Sequence, residues 1–239
     1  QESLSYFSDK IFDAIKSKKS ILVTTHIDCD GITSGSIISK ALIREGANCT
    51  VRTSNEFSQN LIERLEKENK GLHVITDLAG GFGKNLDQKL GDNWVVLDHH
   101  QIPEDEIDNQ NVINAWKFDI DGGTEICAGG MAYLAATSLN KENKDLSGIA
   151  VVSALGDRQD QGEKKSFVGE NQKIAKTAKE LELIDINLDL LLVGRETRPL
   201  PDALAFTSQP FIEGLTWNRD ACLAILNSTG VELKDKARW

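Results

Sequence analysis

The chain has 239 residues, of which 40% are hydrophobic and 27% are charged, as in an ordinary folded globular protein. Its length suits one large domain, or one domain with a smaller appendage. The formal net charge of −10 excludes the overall positive field that marks many nucleic-acid binders. Carboxylates that bind metal ions would nevertheless count fully in that formal charge.

Strands alternate with helices through the first part of the chain. Apolar residues at helical spacing predict a helix over residues 4–18, and a β-branched run predicts a buried strand over residues 21–25. A helix over residues 32–44, a strand over residues 49–53 and a charged helix over residues 57–68 follow in turn. This order is typical of an α/β fold, with a parallel, doubly wound sheet flanked by helices on both faces.

The same alternation continues to about residue 155. Short strands are predicted over residues 73–76 and 95–97, and a further short strand at residues 112–113. A helix bounded by glycines is predicted over residues 128–139, and another over residues 146–155. These elements extend the predicted sheet to five strands.

Past residue 160 the pattern changes. A polar loop over residues 162–172 is predicted to lead into a helix over residues 173–181. Three of the four prolines fall within residues 197–216, which we interpret as an irregular connector before a last short helix over residues 219–227.

We expect a main domain over residues 1–190 and a mostly helical or irregular connector over residues 191–239. The chain begins with Gln1 rather than methionine and stops at Trp239 after a charged stretch, so we expect a fragment of a longer protein. No apolar run approaches the roughly 18 to 20 residues that cross a bilayer, and we expect no contact with a membrane. Four widely spaced cysteines without a C-x-x-C pair favour reduced thiols and a cytoplasmic location.

Acidic residues follow three of the predicted strands. The first strand runs into Asp28 and Asp30, and two later strands end at Asp77 and Asp98. In an open parallel sheet the carboxyl ends of the strands meet at one edge, where ligands bind. Asp157, after an apolar helical run, could join this group.

Such a group of carboxylates needs positive charge. A pair of like charges 4 Å apart costs about 4 kcal/mol at an effective dielectric constant near 20. Two divalent cations would neutralise the four carboxylates of Asp28, Asp30, Asp77 and Asp157, and a pair of such ions can activate water and hold a phosphoryl group. Oxygen-rich ligation with one or two imidazoles favours manganese or magnesium over zinc.

Each motif alone has a simpler interpretation. Asp30 before Gly31 is typical of a turn, Asp77 could cap a helix, and adjacent histidines are often merely exposed. Three of the four histidines nevertheless fall inside these motifs, and the combination is far more specific than any part. His73, the fourth, opens a strand and is expected to be structural.

The order of these motifs resembles the DHH phosphoesterases. It comprises H-x-D-x-D-G at residues 26–31, a strand-end Asp77, D-H-H at residues 98–100 and G-D at residues 156–157. The superfamily includes RecJ nucleases, oligoribonucleases, cyclic-dinucleotide phosphodiesterases and manganese pyrophosphatases. The resemblance covers roughly residues 20–160, and within it the glycine-rich residues 122–133 resemble the helix entry that follows the D-H-H strand.

The tail resembles a narrower group. T-R-P-L at residues 197–200, P-F-I at residues 210–212 and G-L-T at residues 214–216 resemble archaeal RecJ-like proteins, which include GINS-associated nucleases. The family normally carries a second, DHHA1-type domain with a glycine- and histidine-rich motif. No such motif occurs here, so residues 191–239 are interpreted as a connector toward that domain.

The resemblance implies two divalent cations, with manganese the first choice and magnesium the alternative. The implied ligands are His26 and Asp28 for one ion, Asp30, His99 and Asp157 for the other, and Asp77 for both.

The remaining motif residues have roles around the ions. Asp98 is expected to orient an imidazole, and His100 to contact the scissile phosphate and stabilise its developing charge. Arg158 is a weaker candidate for substrate binding. Bacterial RecJ enzymes usually carry Asp in place of His26, so the sequence departs from their pattern at this position.

The leading hypothesis is a RecJ-like, metal-dependent exonuclease that acts on single-stranded DNA or RNA. One alternative is a phosphodiesterase for oligoribonucleotides or cyclic dinucleotides, which would share the same centre. A pyrophosphatase is disfavoured because it has no use for the tail. A third alternative, from a different class, is a replisome scaffold that binds GINS with little turnover, although such relatives have lost metal ligands and every acidic ligand position is intact here.

Overall fold

Five parallel strands form one sheet in the computed structural model, which describes residues 2–68, 71–188 and 190–230. The strands are β1 (Ile21–His26), β2 (Cys49–Ser54), β3 (Leu72–Thr76), β4 (Trp94–Asp98) and β5 (Val112–Asn114). Their order across the sheet is β2-β1-β3-β4-β5, and every neighbouring pair is parallel. The predicted α/β fold with a parallel sheet is confirmed.

The strand order reverses direction at β1, which lies between β2 and β3. The chain adds β2 on one side of β1 and then β3, β4 and β5 on the other. Thr25 of β1 pairs with Thr76 of β3, which pairs with Leu97 of β4, so the three strands end at nearly the same level. A crevice opens at such a switch point, beyond the carboxyl ends of the strands.

Helices precede, connect and follow the strands along the chain. They are α1 (Glu2–Lys16), α2 (Cys29–Arg44), α3 (Gln59–Glu68), α4 (Gly83–Leu90), α5 (Ala128–Leu139), α6 (Ser147–Gly156), α7 (Gly169–Glu180), α8 (Leu200–Phe206) and α9 (Arg219–Thr229). Among the described residues, no helix combines the length and apolar character that a membrane span requires. The four cysteines are free thiols.

Alternate residues of each strand enter two separate cores. Ile21 and Val23 of β1 pack with residues of α1, α2 and α5, whereas Leu22 packs with residues of α3 and α4 on the opposite face. Full burial of such an aliphatic side chain contributes about 1.5–3 kcal/mol. Strands β1, β3 and β4 are buried on both faces, so their sequences show no regular alternation of apolar and polar residues, whereas the edge strand β2 is partly exposed.

Three predicted regions differ from the structure. Helix α7 begins at Gly169, inside the segment 162–172 that was expected to be a loop, because its polar Asn171 is buried in tertiary hydrogen bonds. Helix α4 was not predicted, since Leu86 is its only large buried residue. Helix α8 lies within the segment expected to be irregular, where Pro201 falls in the first turn, a position that tolerates proline.

The chain divides into two compact units, residues 1–185 and residues 186–239. The first contains the whole sheet with α1 to α7. In the second, Leu200 and Ala203 of α8 are buried against Leu192 and against Leu226 of α9.

Candidate metal centre

The loop after β1 places a histidine and an aspartate side by side. Asp28 caps α2, because its Oδ1 accepts the Gly31 N–H at 2.9 Å, and its Oδ2 lies 2.8 Å from His26 Nδ1. His26 Nε2 lies 3.1 Å from the carbonyl oxygen of Asn55, which can only accept. Nε2 therefore donates to this carbonyl, and Nδ1 is the ring nitrogen that faces the carboxylates.

Asp30 lies in the first turn of α2 but is held by the first turn of α5. The Ala128 N–H donates to Oδ2 at 2.9 Å, the Gly129 N–H donates to Oδ1 at 3.0 Å, and the Ser153 hydroxyl also donates to Oδ1. Burial favours the neutral acid, but hydrogen bonds from His99, Ser153 and Gly129 outweigh it and lower the pKa of Asp30. The positive end of α5 also favours the carboxylate.

Asp77 follows β3 and is 2% exposed. Its Oδ1 accepts no hydrogen bond from the described residues, although it lies 3.4 Å from His99 Nε2 and 3.9 Å from His100 Nδ1. Its Oδ2 lies 3.8 Å from His26 Nδ1. Burial, together with the nearby charge of Asp30, raises the pKa of Asp77 to about 7. A buried carboxylate oxygen without a donor fits a cation.

Asp98 ends β4 with both carboxylate oxygens hydrogen-bonded. Oδ1 accepts the backbone N–H of His99 and the ring Nδ1–H of His100, both at 2.8 Å, and Oδ2 accepts the Gly80 N–H at 2.9 Å. Burial alone would raise the pKa of Asp98, but His100 and His99 lower it. These contacts are those of an orienting carboxylate, and its catalytic role stays a prediction.

His99 is buried and anchored at one ring nitrogen. Its Nδ1 donates to the carbonyl of Gly122 at 2.6 Å, and its Nε2 lies 3.3 Å from Asp30 Oδ2. Burial opposes the charged ring, but the carboxylates of Asp30 and Asp77, 3.3 and 3.4 Å from Nε2, raise the pKa of His99 to about 11. A side chain in place of Gly122 would collide with the His99 carbonyl, so this close approach requires glycine.

His100 differs from its neighbour because its side chain is 61% exposed. The hydrogen bond to Asp98 raises its pKa above the ordinary range. Arg158, the other predicted substrate-binding residue, is exposed and has a φ of 56°.

Asp157 follows α6 and is held by a residue that sequence reasoning missed. Its Oδ2 accepts from Gln159 Nε2 at 2.7 Å and lies 3.8 Å from His99 Nδ1. Burial raises the pKa of Asp157. Gln159 is fully buried, also donates to the Gly122 carbonyl at 2.8 Å, and accepts from Asn171 Nδ2 at 2.5 Å. It therefore holds both Asp157 and the carbonyl that anchors His99.

The structure brings all six predicted ligands into two adjoining groups. Within each group the potential ligand atoms lie within 4.8 Å of one another; the groups are His26 with Asp28 and Asp77, and Asp30 with His99 and Asp157. Asp77 also lies within that distance of His99 and His100. The donor set of carboxylate oxygens and imidazole nitrogens fits manganese or magnesium, and the unpartnered Asp77 Oδ1 fits the same conclusion.

A cavity of about 430 Å³ opens beside the second of these groups. It is lined by His99, His100, Gln101, Trp116, Asp121, Gly122, Gly123 and Asp157.

The fold and this centre define an α/β protein with a cluster of carboxylates and imidazoles at the switch point of a parallel sheet. The sequence matches the DHH family, N-terminal domain, over residues 20–156, and the DHH-CID domain over residues 192–239. The chain belongs to the DHH family, which confirms the resemblance drawn from its motifs.

A curated relative is an uncharacterized protein of Methanocaldococcus jannaschii, 30% identical over 239 residues. The match covers 95% of this chain and 53% of the relative, so the chain spans about half the length of that protein.

Solved structures share the fold. Exonuclease RecJ bound to manganese is 17% identical with a TM-score of 0.62, over 97% of this chain and 53% of that one. RecJ in complex with Mn²⁺ from Thermus thermophilus is 17% identical with a TM-score of 0.60, over 98% and 35%. CDC45 from Entamoeba histolytica is 17% identical with a TM-score of 0.63, over 98% and 53%. At this identity the likeness shows the fold alone.

Proposed function

We propose that the chain carries the catalytic centre of a RecJ-like exonuclease, which hydrolyses phosphodiester bonds of single-stranded DNA or RNA with two divalent cations. The observation that carries the proposal is Asp77 Oδ1, a buried acceptor without a donor at the junction of two groups of oxygen and nitrogen ligands. The division into a catalytic domain over residues 1–190 and a connector over residues 191–239 is part of the same proposal.

The proposed ligands are divided between the two ions in the same way as between the two groups. His26 and Asp28 would hold one ion, Asp30, His99 and Asp157 would hold the other, and Asp77 would contribute to both. When bound, two such ions neutralise phosphoryl oxygens and make water more acidic. Manganese is the proposed ion, with magnesium the alternative, because the donors are mainly oxygen atoms.

His100 and Asp98 complete the proposed chemistry. Asp98 accepts from His100 Nδ1, which fixes the ring and favours its charged form. The exposed imidazolium can donate from Nε2 to a phosphate oxygen and stabilise charge that develops there. Arg158 is assigned a minor part in holding the substrate.

Two other functions are separable from this one. A phosphodiesterase for oligoribonucleotides or cyclic dinucleotides would use the same centre on shorter substrates. A replisome scaffold that binds a partner such as GINS, with little turnover, is favoured by the fold shared with CDC45. The presence of all six ligand side chains in two groups favours turnover over scaffold alone.

The test is a cleavage assay with the full chain. End-labelled single-stranded DNA, single-stranded RNA, dinucleotides and pyrophosphate are incubated with manganese or with chelator. We expect manganese-dependent release of nucleotides from the single strands, and loss of that release in Asp30→Ala. Asp105→Ala removes an exposed carboxylate outside both groups and serves as the matched control.

Three results would contradict the proposal in different ways. Cleavage confined to dinucleotides would favour the phosphodiesterase, and cleavage of pyrophosphate alone would favour a pyrophosphatase. If none of the substrates is cleaved in the presence of manganese, the scaffold function would be favoured.

A further inference from the structure

We propose that the cavity beside the metal centre is a nucleobase subsite, in which Trp116 stacks on the base of the nucleotide whose phosphate lies at the ions. The inference rests on the proposed phosphoesterase function and adds the part of the substrate that the centre alone does not specify. It is argued from the cavity, the fixed indole and the open glycine wall.

The cavity has the size of a ligand site. Its volume of about 430 Å³ lies within the roughly 300–1,000 Å³ of typical small-molecule pockets. His99, His100 and Asp157 line it from the side of the metal centre, and Trp116 and Gln101 also line it. A ligand whose phosphate lies beside His100 therefore has room for a further group next to Trp116.

The Trp116 indole is held in one orientation. It belongs to the short 3-10 helix Ala115–Phe118 that follows β5, and its Nε1–H donates to the His99 carbonyl at 2.8 Å. The backbone N–H of Trp116 donates to Asn114 Oδ1 at 3.0 Å, and Asn114 Nδ2 donates to the His100 carbonyl at 2.9 Å. The D-H-H segment and the indole are thus fastened together by three hydrogen bonds.

These bonds leave the indole with no unsatisfied polar atom and yet 36% exposed. An aromatic ring that is fixed at its polar edge and partly exposed to a cavity is suited to stacking, because a base loses little by ordering against a rigid surface. Stacking on an aromatic side chain tolerates any base, since every base has a π face.

The rest of the cavity wall is preformed and open. Gly122 and Gly123 contribute no side chain, and a Cβ on Gly122 would lie 2.9 Å from Trp116 Nε1. Asp121 accepts the Gly123 N–H at 2.7 Å and the Thr124 hydroxyl at 3.0 Å, which holds the loop in place. Inorganic pyrophosphate would make no use of an aromatic wall, whereas a nucleotide would.

The experiment compares two phosphate ligands that differ only by a base. The full chain with manganese is titrated with AMP and with ribose 5-phosphate, and the ratio of the two dissociation constants is measured. We expect AMP to bind about 5- to 150-fold more tightly, which corresponds to about 1–3 kcal/mol for one stacked base. Trp116→Ala should bring the ratio close to one, and Trp116→Phe should retain most of it.

Phe118→Ala is the matched control, because Phe118 is 46% exposed in the same 3-10 helix but does not line the cavity. It should leave the ratio unchanged. If Trp116→Ala no longer shows the manganese-induced rise in melting temperature, Trp116→Leu replaces it as an apolar side chain without a π face.

The ratio of dissociation constants distinguishes loss of base stacking from general damage to the fold, because general damage would weaken the binding of both ligands together. A wild-type ratio near one, or a ratio that Trp116→Ala and Trp116→Leu leave intact, would overturn the subsite. Manganese-dependent cleavage without a preference for AMP would refute the subsite alone. A preference for AMP that depends on Trp116, without cleavage of any substrate, would support the subsite and refute the exonuclease.

Discussion

The two halves of the candidate centre differ sharply in their surroundings. We call His26 and Asp28 the outer half, and Asp30, His99 and Asp157 the inner half. The side chains of the outer half are 27% and 55% exposed, whereas those of Asp30 and His99 in the inner half are 4% and 6% exposed. Asp157, the third member of the inner half, is 35% exposed. Asp77, 2% exposed, lies between the halves.

The inner half is also more firmly held. Asp30 accepts from two backbone N–H groups of α5 and from Ser153, His99 donates to Gly122, and Gln159 holds Asp157. In the outer half each side chain has one such contact with the surrounding backbone. Ligands fixed before an ion arrives lose less entropy on binding it, so the inner half should bind its ion more tightly.

The largest effect is expected from Asp77→Asn, because Asp77 is shared by both halves. The variant should lose the manganese-induced rise in stability, which is about 2.7 kcal/mol for one site at a concentration of 100 times Kd. Calorimetric melting with and without manganese measures it, with Asp105→Asn as the control. A variant that keeps the full rise would rule out the bridging role.

Without metal, the same variant should be more stable than the wild type rather than less. Burial raises the pKa of Asp77 from 3.8 to about 7, so its contribution to stability is present below pH 3.8 and is lost as the pH rises through 7. At pH 8 in chelator, Asp77→Asn should therefore melt above the wild type.

Next in size is the contrast between Asp30→Asn and Asp28→Asn. In chelator, Asp30→Asn should lower the free energy of unfolding by about 1–3 kcal/mol, since an amide cannot accept from all three donors as a carboxylate does. Asp28→Asn should be nearly neutral there, because Asn caps a helix about as well as Asp.

Metal titration should complete this contrast. Asp28→Asn should retain one tightly bound manganese ion, and Asp30→Asn should lose the tighter of the two. Equal losses of stability in the two variants, or loss of the tighter ion in Asp28→Asn, would show that the halves are alike.

The sequence predicts the sheet well because strands buried on both faces are mainly apolar runs, and it predicts the ligands because strand ends converge at one edge. Asp30 and Asp77 were grouped by this rule, whereas Asp157, 127 residues from Asp30 and after a helix, was assigned as a ligand from the resemblance to the DHH motifs. Helix α4 was not predicted, because its single large buried residue gives no periodic pattern.

The supporting roles of Gln159 and Asn171 were not predicted, for a different reason. Nothing local distinguishes Gln159 from the exposed Gln161, and Asn171 lies in a polar segment that resembles a loop. Their importance comes from contacts across the fold, including the bond from Gln159 to Gly122, 37 residues away. Supports of this kind become visible only when the chain is folded.

A moderate effect is expected from Gln159→Leu, which removes the hydrogen bonds to Asp157 and Gly122 without adding charge. Loss of such supports typically lowers metal affinity by about 10- to 100-fold. The loss should be confined to the tighter ion, as measured by manganese titration. Gln161→Leu is the control, since Gln161 is exposed and donates to the Arg158 carbonyl. Equal effects of the two substitutions would show that Gln159 does not support the inner half.

The smallest expected effect is the pH dependence of the tighter ion. The nearby carboxylates of Asp30 and Asp77 outweigh burial and raise the pKa of His99 to about 11. Without metal its ring is therefore protonated at pH 8 and must lose that proton to bind an ion. Affinity should therefore rise about tenfold per pH unit above pH 7. Below pH 7 the rise should be steeper, because Asp77, with a pKa of about 7, then also carries a proton.

Titration calorimetry in two buffers of different ionisation enthalpy counts these protons directly. We expect about one proton released at pH 8 and close to two at pH 6. Asp28→Asn should leave both counts unchanged for the tighter ion, because its protons come from His99 and from Asp77. A wild-type protein that releases no proton at pH 8 would show that His99 is neutral without metal. The inner half would then lack the buried ion pair that distinguishes it from the outer one.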